Sequence, residues 1–283
     1  MVRLLALIPV VLICLAAVPA VSPVVGGAAT VAESVGEGRV PSATEFEALV
    51  KSDPIAALDA SLARYKRDVR GYRCILQKQE CLGRKLGKVE VIRHAVREEP
   101  FAVYMFWEEG AGSAAATLYV RGENGGRMKV KTTYFLETNT DPNGLIARGS
   151  SRYSIEDAGI FHGTLRTLRA WKAARDRGEW QFEYLGRQKL PELGRECYAL
   201  KRTCNPPDVD NFRMADLERR DPAQHPLEAF TTITIYLDCE TWLQTGSVLT
   251  KADGSLMAAY YFRDVKINPA FEADQFTPAV LRR

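Results

Sequence analysis

The chain has 283 residues, of which 46% are hydrophobic and 26% are charged, and its formal net charge at pH 7 is +3. Such a composition is typical of a globular protein, and the near balance of charge argues against nucleic acid as a partner. The length is sufficient for one large domain or two small ones.

Residues 1–29 have the layout of a secretory signal. Arg3 precedes a long apolar run, and Val18, Pro19 and Ala20 form an acceptable cleavage site, with a later cut after Ala29 as an alternative. The other interpretation is an uncleaved anchor, because the apolar run is nearly long enough to span a bilayer. We predict an exported protein of the periplasm or cell envelope that is at most peripheral to the membrane.

Two helices are predicted after the leader. Residues 30–43 are small and Gly-rich, which favours a flexible linker, and residues 44–52 predict a short helix. The next helix has Asp53 as its N-cap and Pro54 as its first residue, and it ends at Gly71. Its apolar stripe at helical spacing consists of Ile55, Leu58, Leu62, Tyr65 and Val69.

The hydrophobic period then changes to two, which indicates β-strands. Five strands are predicted, at residues 72–81, 89–98, 101–108, 115–122 and 127–133. Their short polar connections favour antiparallel pairing, so this part of the chain is predicted to be a meander.

A second long helix is predicted from Ser154, which would be its N-cap, with Asp157 as the acidic partner in a capping-box variant. Its stripe is Ile155, Ala158, Phe161, Leu165, Leu168 and Trp171. Further strands are predicted at 180–189, 195–204, 230–238, 243–251 and 255–267. The charged loop insertion at 205–229 interrupts them, and a loop of this length is either a functional lid or a loosely ordered excursion.

The resulting fold class is α+β, mainly antiparallel β, with about ten strands and two long helices in a single domain over residues 44–283. A twisted sheet of that extent curls or closes instead of remaining flat.

Five cysteines follow the leader, and in an exported protein cysteines usually form disulfides. If strand 195–204 runs antiparallel to 230–238, Cys197 lies near Asp238 and Cys239. We therefore predict a disulfide between Cys197 and Cys239. No metal site is predicted, because zinc ligand pairs usually lie two to four residues apart, whereas here the close cysteine pairs are seven apart.

The chain contains no G-x-S-x-G elbow, HExxH, P-loop or Rossmann fingerprint. We therefore predict no catalytic residues, no cofactor and no enzyme activity. The polar run Gln77, Lys78, Gln79 and Glu80 is interpreted as the exposed end of a strand that enters a turn.

The strand FAVYMFW, residues 101–107, is apolar at every position, whereas a half-buried antiparallel strand alternates. Such a strand is covered on both faces, either because side chains fill the interior or because an apolar cavity remains for a ligand. The candidate ligand-binding residues are Val103, Met105, Trp107, Leu118, Tyr260 and Phe262. For each of them the alternative is packing in the core.

Several blocks between about residues 55 and 277 resemble a known family. They are ARYKRDVRGYRCILQKQE, PFAVYMFW, LYVRGENGGRMKV, DPNG, SIEDAGI, and YLDCETW followed by DGSLMAAYYFRDVKINPAFEADQF. Their order resembles a secreted bacterial family known as domain of unknown function 1571. That family is in turn loosely similar to the periplasmic lipoprotein-carrier (LolA/LolB-like) fold. The similarity implies a curved half-barrel with helices on its concave face, over a cavity for acyl chains, and it supplies no catalytic residues.

The function that follows is a non-catalytic one. We predict an exported protein that binds a lipid, an acyl chain or an acylated protein in the half-barrel cavity. The alternative is an envelope sensor or regulatory module that docks a protein partner, with the 205–229 insertion as its contact arm.

Overall fold

The structure is a computed structural model that describes residues 41–216 and 219–282. The predicted leader and most of the predicted linker lie outside these residues. The α-helices are α1 (Ala43–Ser52), α2 (Pro54–Asp68), α3 (Leu145–Ser150) and α4 (Ile160–Asp176). The strands are β1 (Gly71–Leu82), β2 (Lys85–Leu86), β3 (Glu90–Arg97), β4 (Ala102–Glu109), β5 (Ala114–Val120), β6 (Met128–Thr132), β7 (Glu137–Thr140), β8 (Gln181–Lys189), β9 (Glu196–Asp208), β10 (Phe230–Asp238), β11 (Gln244–Thr250) and β12 (Leu256–Ile267).

All twelve strands belong to one antiparallel sheet with the order β7-β6-β5-β4-β3-β1-β12-β11-β10-β9-β8, and β2 pairs only with β1. Two meanders are thus joined where β1 pairs with β12, and the outermost strands β7 and β8 leave the sheet open. The predicted fold class is confirmed, and each of the ten predicted strands is present. The sequence analysis missed β2, which has two residues, and β7, whose residues ETNT carry no apolar alternation.

The first two helices begin as their sequence predicts. Ser42 and Glu45 form a reciprocal capping box at α1, with the Ser42 amide donating to Glu45 Oε2 at 2.7 Å. The Asp53 side chain accepts from the Ala56 amide at 3.0 Å, which confirms Asp53 as the N-cap of α2. The apolar stripe of α2 packs on the concave face of the sheet, in a buried cluster with α4 and with Leu200, Ile235 and Leu237.

The helix predicted from Ser154 begins six residues later, as α4 at Ile160. Ser154 instead caps a single 3-10 turn, accepting from the Glu156 amide at 3.3 Å. Gly159 then has φ +102°, and a Cβ there would lie 2.6 Å from the Tyr72 hydroxyl oxygen. The Ile160 amide donates to that same oxygen at 2.9 Å. Glycine therefore allows the start of α4 to sit directly on β1.

The convex face of β3 to β5 is covered by the chain that follows β12. A buried cluster joins sheet residues to this C-terminal segment: Ala95, Ala102, Ala116, Leu118 and Val120 pack against Phe276, Val280 and Leu281. The apolar strand FAVYMFW is therefore covered on both faces, as predicted, by the C-terminal segment on one side and by the interior of the half-barrel on the other.

The predicted Cys197–Cys239 disulfide is wrong in this structure, although the strand register behind it is confirmed. Cys197 pairs directly with Asp238, but consecutive strand residues point to opposite faces. Cys197 packs on the convex face with Leu193 and Tyr236, whereas Cys239 packs against the helix-covered concave cluster. All five cysteines of the described residues carry free thiols.

The C-terminal cover should contribute strongly to stability. Leu281 is 1% exposed, so Leu281→Ala is expected to lower the free energy of unfolding by about 2–3 kcal/mol through lost burial and a residual cavity. Urea unfolding measures this, with Leu145→Ala as the control, since Leu145 is 89% exposed and its loss should cost less than about 0.5 kcal/mol. Equal effects of the two substitutions would contradict the packing of this segment.

Thiol reactivity tests the cysteine assignment. Burial raises the pKa of Cys197 and Cys204 to about 12 and that of Cys239 to about 11. Because the thiolate is the reactive form, alkylation of these three thiols in the folded protein near neutral pH should be slow and should quicken as pH rises. Among the five cysteines the reaction should be fastest at Cys239, because the other four are buried. In urea without reductant all five thiols should react. If Cys197 and Cys239 reacted only after reductant was added, the two residues would form the disulfide predicted from the sequence.

Candidate functional site

A cavity of about 470 Å³ lies between the concave face of the sheet and α4. Its volume is within the range of about 300–1,000 Å³ typical of small-ligand sites. Strands from β7 at one edge to β9 near the other contribute to its wall, so it extends across most of the half-barrel.

The helices fill only one end of the half-barrel. Near the start of β1, Tyr72 packs with Val96 and Val103 under α2 and α4. Towards the other end of β1, Leu76 and Lys78 face the cavity instead. The cavity is therefore the part of the concave face that the protein's own helices leave uncovered.

Four of the six predicted ligand-binding residues line this cavity: Met105, Trp107, Tyr260 and Phe262. Strand register brings them together around β1, because Leu76 pairs with Phe262 and Lys78 with Tyr260. Their contact with a ligand remains a prediction.

The other two predicted residues are not in the cavity wall. Val103 is on the concave face but is fully buried by α2 and α4, so packing is its role. Leu118 pairs with Tyr104, and both point to the convex face under the C-terminal segment. The prediction that Leu118 lines the cavity is therefore wrong, because its parity on β5 directs it away from the interior.

The first part of the 205–229 insertion contributes to the cavity wall. Its first residues extend β9 to Asp208, and Phe212 then lines the cavity. The Phe212 carbonyl accepts from the Ser154 amide at 3.0 Å, and the Met214 amide donates to Asp157 Oδ2 at 2.6 Å. The described part of the insertion is thus a lid that is hydrogen-bonded to the segment preceding α4.

Exposed apolar residues flank β7 on both sides along the chain. They form five of the eight large hydrophobic residues that are exposed within the described ranges, and we call them the apolar rim: Tyr134, Phe135, Leu136, Leu145 and Ile146. Ile146 is 70% exposed and also lines the cavity. The cavity therefore reaches the surface beside this rim.

Charged residues of β1 are buried in the cavity wall, contrary to the prediction that this end of the strand is exposed. The Lys78 ammonium lies 3.0 Å from Glu80 Oε2 and 3.5 Å from Glu90 Oε1. The Tyr260 hydroxyl donates to Glu80 Oε1 at 2.6 Å, and Trp107 Nε1 donates to Glu90 Oε2 at 2.5 Å. Strand parity could have predicted this burial, because Lys78 and Glu80 point to the same face of β1 as the buried Leu76.

This network keeps the Glu80 carboxylate ionised. Burial by itself would raise the pKa of Glu80, but the Lys78 ammonium and the Tyr260 hydroxyl together lower that pKa below its usual value. Burial also favours a neutral Lys78, yet Glu80 and Glu90 raise its pKa. The pair is therefore charged at neutral pH and is compensated internally.

Several residues that line the cavity have buried polar atoms without a hydrogen-bond partner. Arg202 is 0% exposed, and its Nη1 donates to Asp208 Oδ2 at 2.6 Å while its Nε and Nη2 remain unpaired. His94 Nε2 and Gln244 Oε1 are also unpaired. Burial lowers the pKa of His94 to about 4, so its imidazole is neutral at pH 7. Sequence reasoning missed Arg202, although it shares the inward parity of Tyr198 and Leu200 on β9.

Across residues 41–216 and 219–282, no group of three or more His, Cys, Asp or Glu side chains is arranged to hold a metal ion. No helix in these ranges is long and apolar enough to cross a membrane. Apolar walls with a few polar groups are the usual construction of a ligand-binding site.

The buried Lys78–Glu80 ion pair should make the stability effect of a Lys78 substitution depend on pH. Lys78→Met leaves Glu80 buried without its cation and should lower the free energy of unfolding by about 3–5 kcal/mol at pH 7. The depressed pKa of Glu80 stabilises the wild-type fold above the usual carboxyl pKa, and this contribution disappears as pH falls. In the variant burial without the Lys78 ammonium should raise the pKa of Glu80, so protonation relieves the penalty as pH falls, and the difference between the two proteins should be smaller at pH 4 than at pH 7. Urea unfolding at both pH values measures this.

Lys85→Met is the matched control, because Lys85 is exposed on β2 and its loss should cost less than about 0.5 kcal/mol. A loss for Lys78→Met that is the same at both pH values would show that Lys78 acts only through packing.

Solved structures of several proteins are similar to the chain. MucB is 15% identical with a TM-score of 0.45, and the match covers 80% of this chain and 62% of the MucB chain. The Mycobacterium tuberculosis lipoprotein LppX is 13% identical with a TM-score of 0.42, covering 78% and 99% of the two chains. A putative outer membrane lipoprotein-sorting protein domain from Vibrio parahaemolyticus is 11% identical with a TM-score of 0.36, covering 80% and 98%. Because these scores are low, the likenesses assign no ligand to this chain.

No curated protein matches the chain in sequence. Residues 69–280 match the family described as protein of unknown function (DUF1571), which confirms the resemblance inferred from the sequence blocks. The chain belongs to the DUF1571 family.

Proposed function

We propose that the protein binds an apolar ligand by burying an acyl chain in the half-barrel cavity, without catalysing a reaction. The ligand is a lipid, a free acyl chain or the acyl chain of a lipoprotein. The observation that carries this proposal is the cavity of about 470 Å³, which the protein's own side chains leave unfilled.

Hydrophobic burial alone provides useful affinity for such a ligand. Each methylene removed from water contributes about 0.8 kcal/mol, so a long chain is retained without any catalytic group. Met105 and Met128 line the cavity, and unbranched methionine side chains adapt to ligands of different shape.

The apolar rim offers the acyl chain of a ligand a route between the cavity and the surroundings of the protein. Ile146 belongs to both the rim and the cavity wall, so an acyl chain could enter the cavity beside it. The leader-like residues 1–29 support a location in the periplasm or cell envelope, where lipids and lipoproteins are available.

A second candidate function is the docking of a protein partner. Its support is also the apolar rim, because exposed apolar patches commonly mark interaction sites. The 205–229 insertion is a weaker candidate for the contact surface than the sequence suggested, since its backbone is hydrogen-bonded to Ser154 and Asp157 as a lid.

Filling part of the cavity should weaken ligand retention. Val130 lines the cavity, and Val130→Trp should displace at least two methylenes of a bound chain, which weakens binding by about tenfold. Native mass spectrometry of protein purified from its own envelope should show bound acyl species in the wild type, with a strongly reduced fraction in the variant.

Lys129→Trp is the matched control, because Lys129 pairs with Leu118 and points to the convex face. It should retain the ligand. A wild-type protein without acyl species, together with a co-purifying protein that is lost on Phe135→Ser, would reject lipid binding and favour the second candidate.

A further inference from the structure

We propose that Arg202 anchors the head of the bound ligand, and that this head is an oxyanion, a carboxylate or a phosphate, at the end of the acyl chain. This inference rests on the proposed function and specifies its ligand class. It starts from the unpaired guanidinium nitrogens that the cavity wall contains.

The free edge of Arg202 has the geometry of an oxyanion receptor. Asp208 occupies only Nη1, at 2.6 Å, and leaves Nε and Nη2 without partners. The Nε–H and Nη2–H bonds lie side by side in the guanidinium plane and point in the same direction. Two parallel donors of this kind match the two oxygens of a carboxylate or phosphate in a bidentate contact.

Burial makes an empty fork unfavourable. Arg202 is 0% exposed, so bulk water does not solvate its free donors. A buried charged group whose hydrogen bonds are unmade carries a substantial desolvation penalty. A ligand oxyanion in the cavity would remove this penalty, because Arg202 is itself part of the cavity wall.

Ion pairs connect the Asp208 carboxylate that holds Arg202 to further guanidinium groups. Arg177 Nη2 lies 4.0 Å from Asp208 Oδ1 and 2.7 Å from Glu179 Oε2, and Arg219 Nη1 lies 3.2 Å from Glu179 Oε1. This cluster contains three guanidinium groups, including Arg202, and two carboxylates. Within these ion pairs guanidinium groups therefore outnumber carboxylates by one, while the Asp210 carboxylate, which also lines the cavity, accepts from the Tyr153 hydroxyl at 2.5 Å.

The position of Arg202 also suits an amphiphile. On β9 it is opposite Ile233 of β10, bonded to Asp208 at the start of the insertion and far along the sheet from β7. From this point the cavity continues across the concave face to Met105, Trp107 and Val130. A head bound by Arg202 would thus place its chain along the apolar part of the cavity, towards the rim.

Affinity measurements with matched ligands test the assignment. Isothermal titration should show that the wild type binds palmitate at least about tenfold more tightly than methyl palmitate, since only palmitate carries the charge. Arg202→Lys keeps the positive charge beside Asp208 but lacks the fork, and it should weaken palmitate binding by about ten- to a hundredfold. Its affinity for methyl palmitate should change by less than about threefold. Palmitate compared with monopalmitoyl phosphatidate identifies whether carboxylate or phosphate is preferred.

Two further variants keep the test decisive. Arg263 also has an unpaired Nε but lies on β12 outside the cavity wall, so Arg263→Lys should leave palmitate binding unchanged. Asp208→Asn removes one of the two carboxylates and should strengthen palmitate binding, which tests the charge argument if Arg202→Lys does not fold.

The outcomes separate this inference from the proposed function. Equal wild-type affinity for palmitate and methyl palmitate, or unchanged palmitate binding in Arg202→Lys, would overturn the role of Arg202 while leaving acyl binding intact. Weaker or unchanged palmitate binding in Asp208→Asn would also count against it. If the wild type bound none of these ligands, the proposed function itself would be rejected.

Discussion

The pairing of β1 with β12 is the constraint on which the remaining structure depends. It joins the first strand of the chain to the last one over eight pairs of residues, from Tyr72 opposite Ile267 to Glu80 opposite Ala258. Without it the molecule would be two separate meanders, each with a second unpaired edge in addition to β7 or β8. Because the chain between β1 and β12 is long, bringing the two strands together costs conformational entropy. Burial of side chains on both faces of the sheet must offset this cost.

The same pairing assembles the candidate site. It places Tyr260 beside Lys78 and Phe262 beside Leu76, so the buried ion pair and the apolar wall both form at the junction of the two meanders. The helices α2 and α4 then cover only the end of the concave face around Tyr72, and the other end remains hollow. The cavity is thus a consequence of a sheet that is larger than the helices packed on it.

The two faces of the sheet are covered by different means. The convex face of β3 to β5 is covered by the C-terminal segment, which buries Phe276, Val280 and Leu281 against it. The concave face is covered by helices and by a lid that is hydrogen-bonded to the segment preceding α4, and both of these approach the sheet without filling it. The convex face is therefore packed by a separate segment, whereas the interior is only partly filled.

Much of this architecture is local and could be predicted from the sequence alone. The caps at Asp53 and Pro54, the period-two alternation of the strands, the short turns and the apolar strand at 101–107 are all properties of neighbouring residues. The position of Cys197 opposite Asp238 also followed from counting along two strands. Local rules cannot say which face of a strand will be the interior. That choice depends on which distant segment covers each face, and it decided that Leu118 turns away from the cavity, that Cys197 and Cys239 lie on opposite faces, and that Lys78, Glu80 and Arg202 are buried.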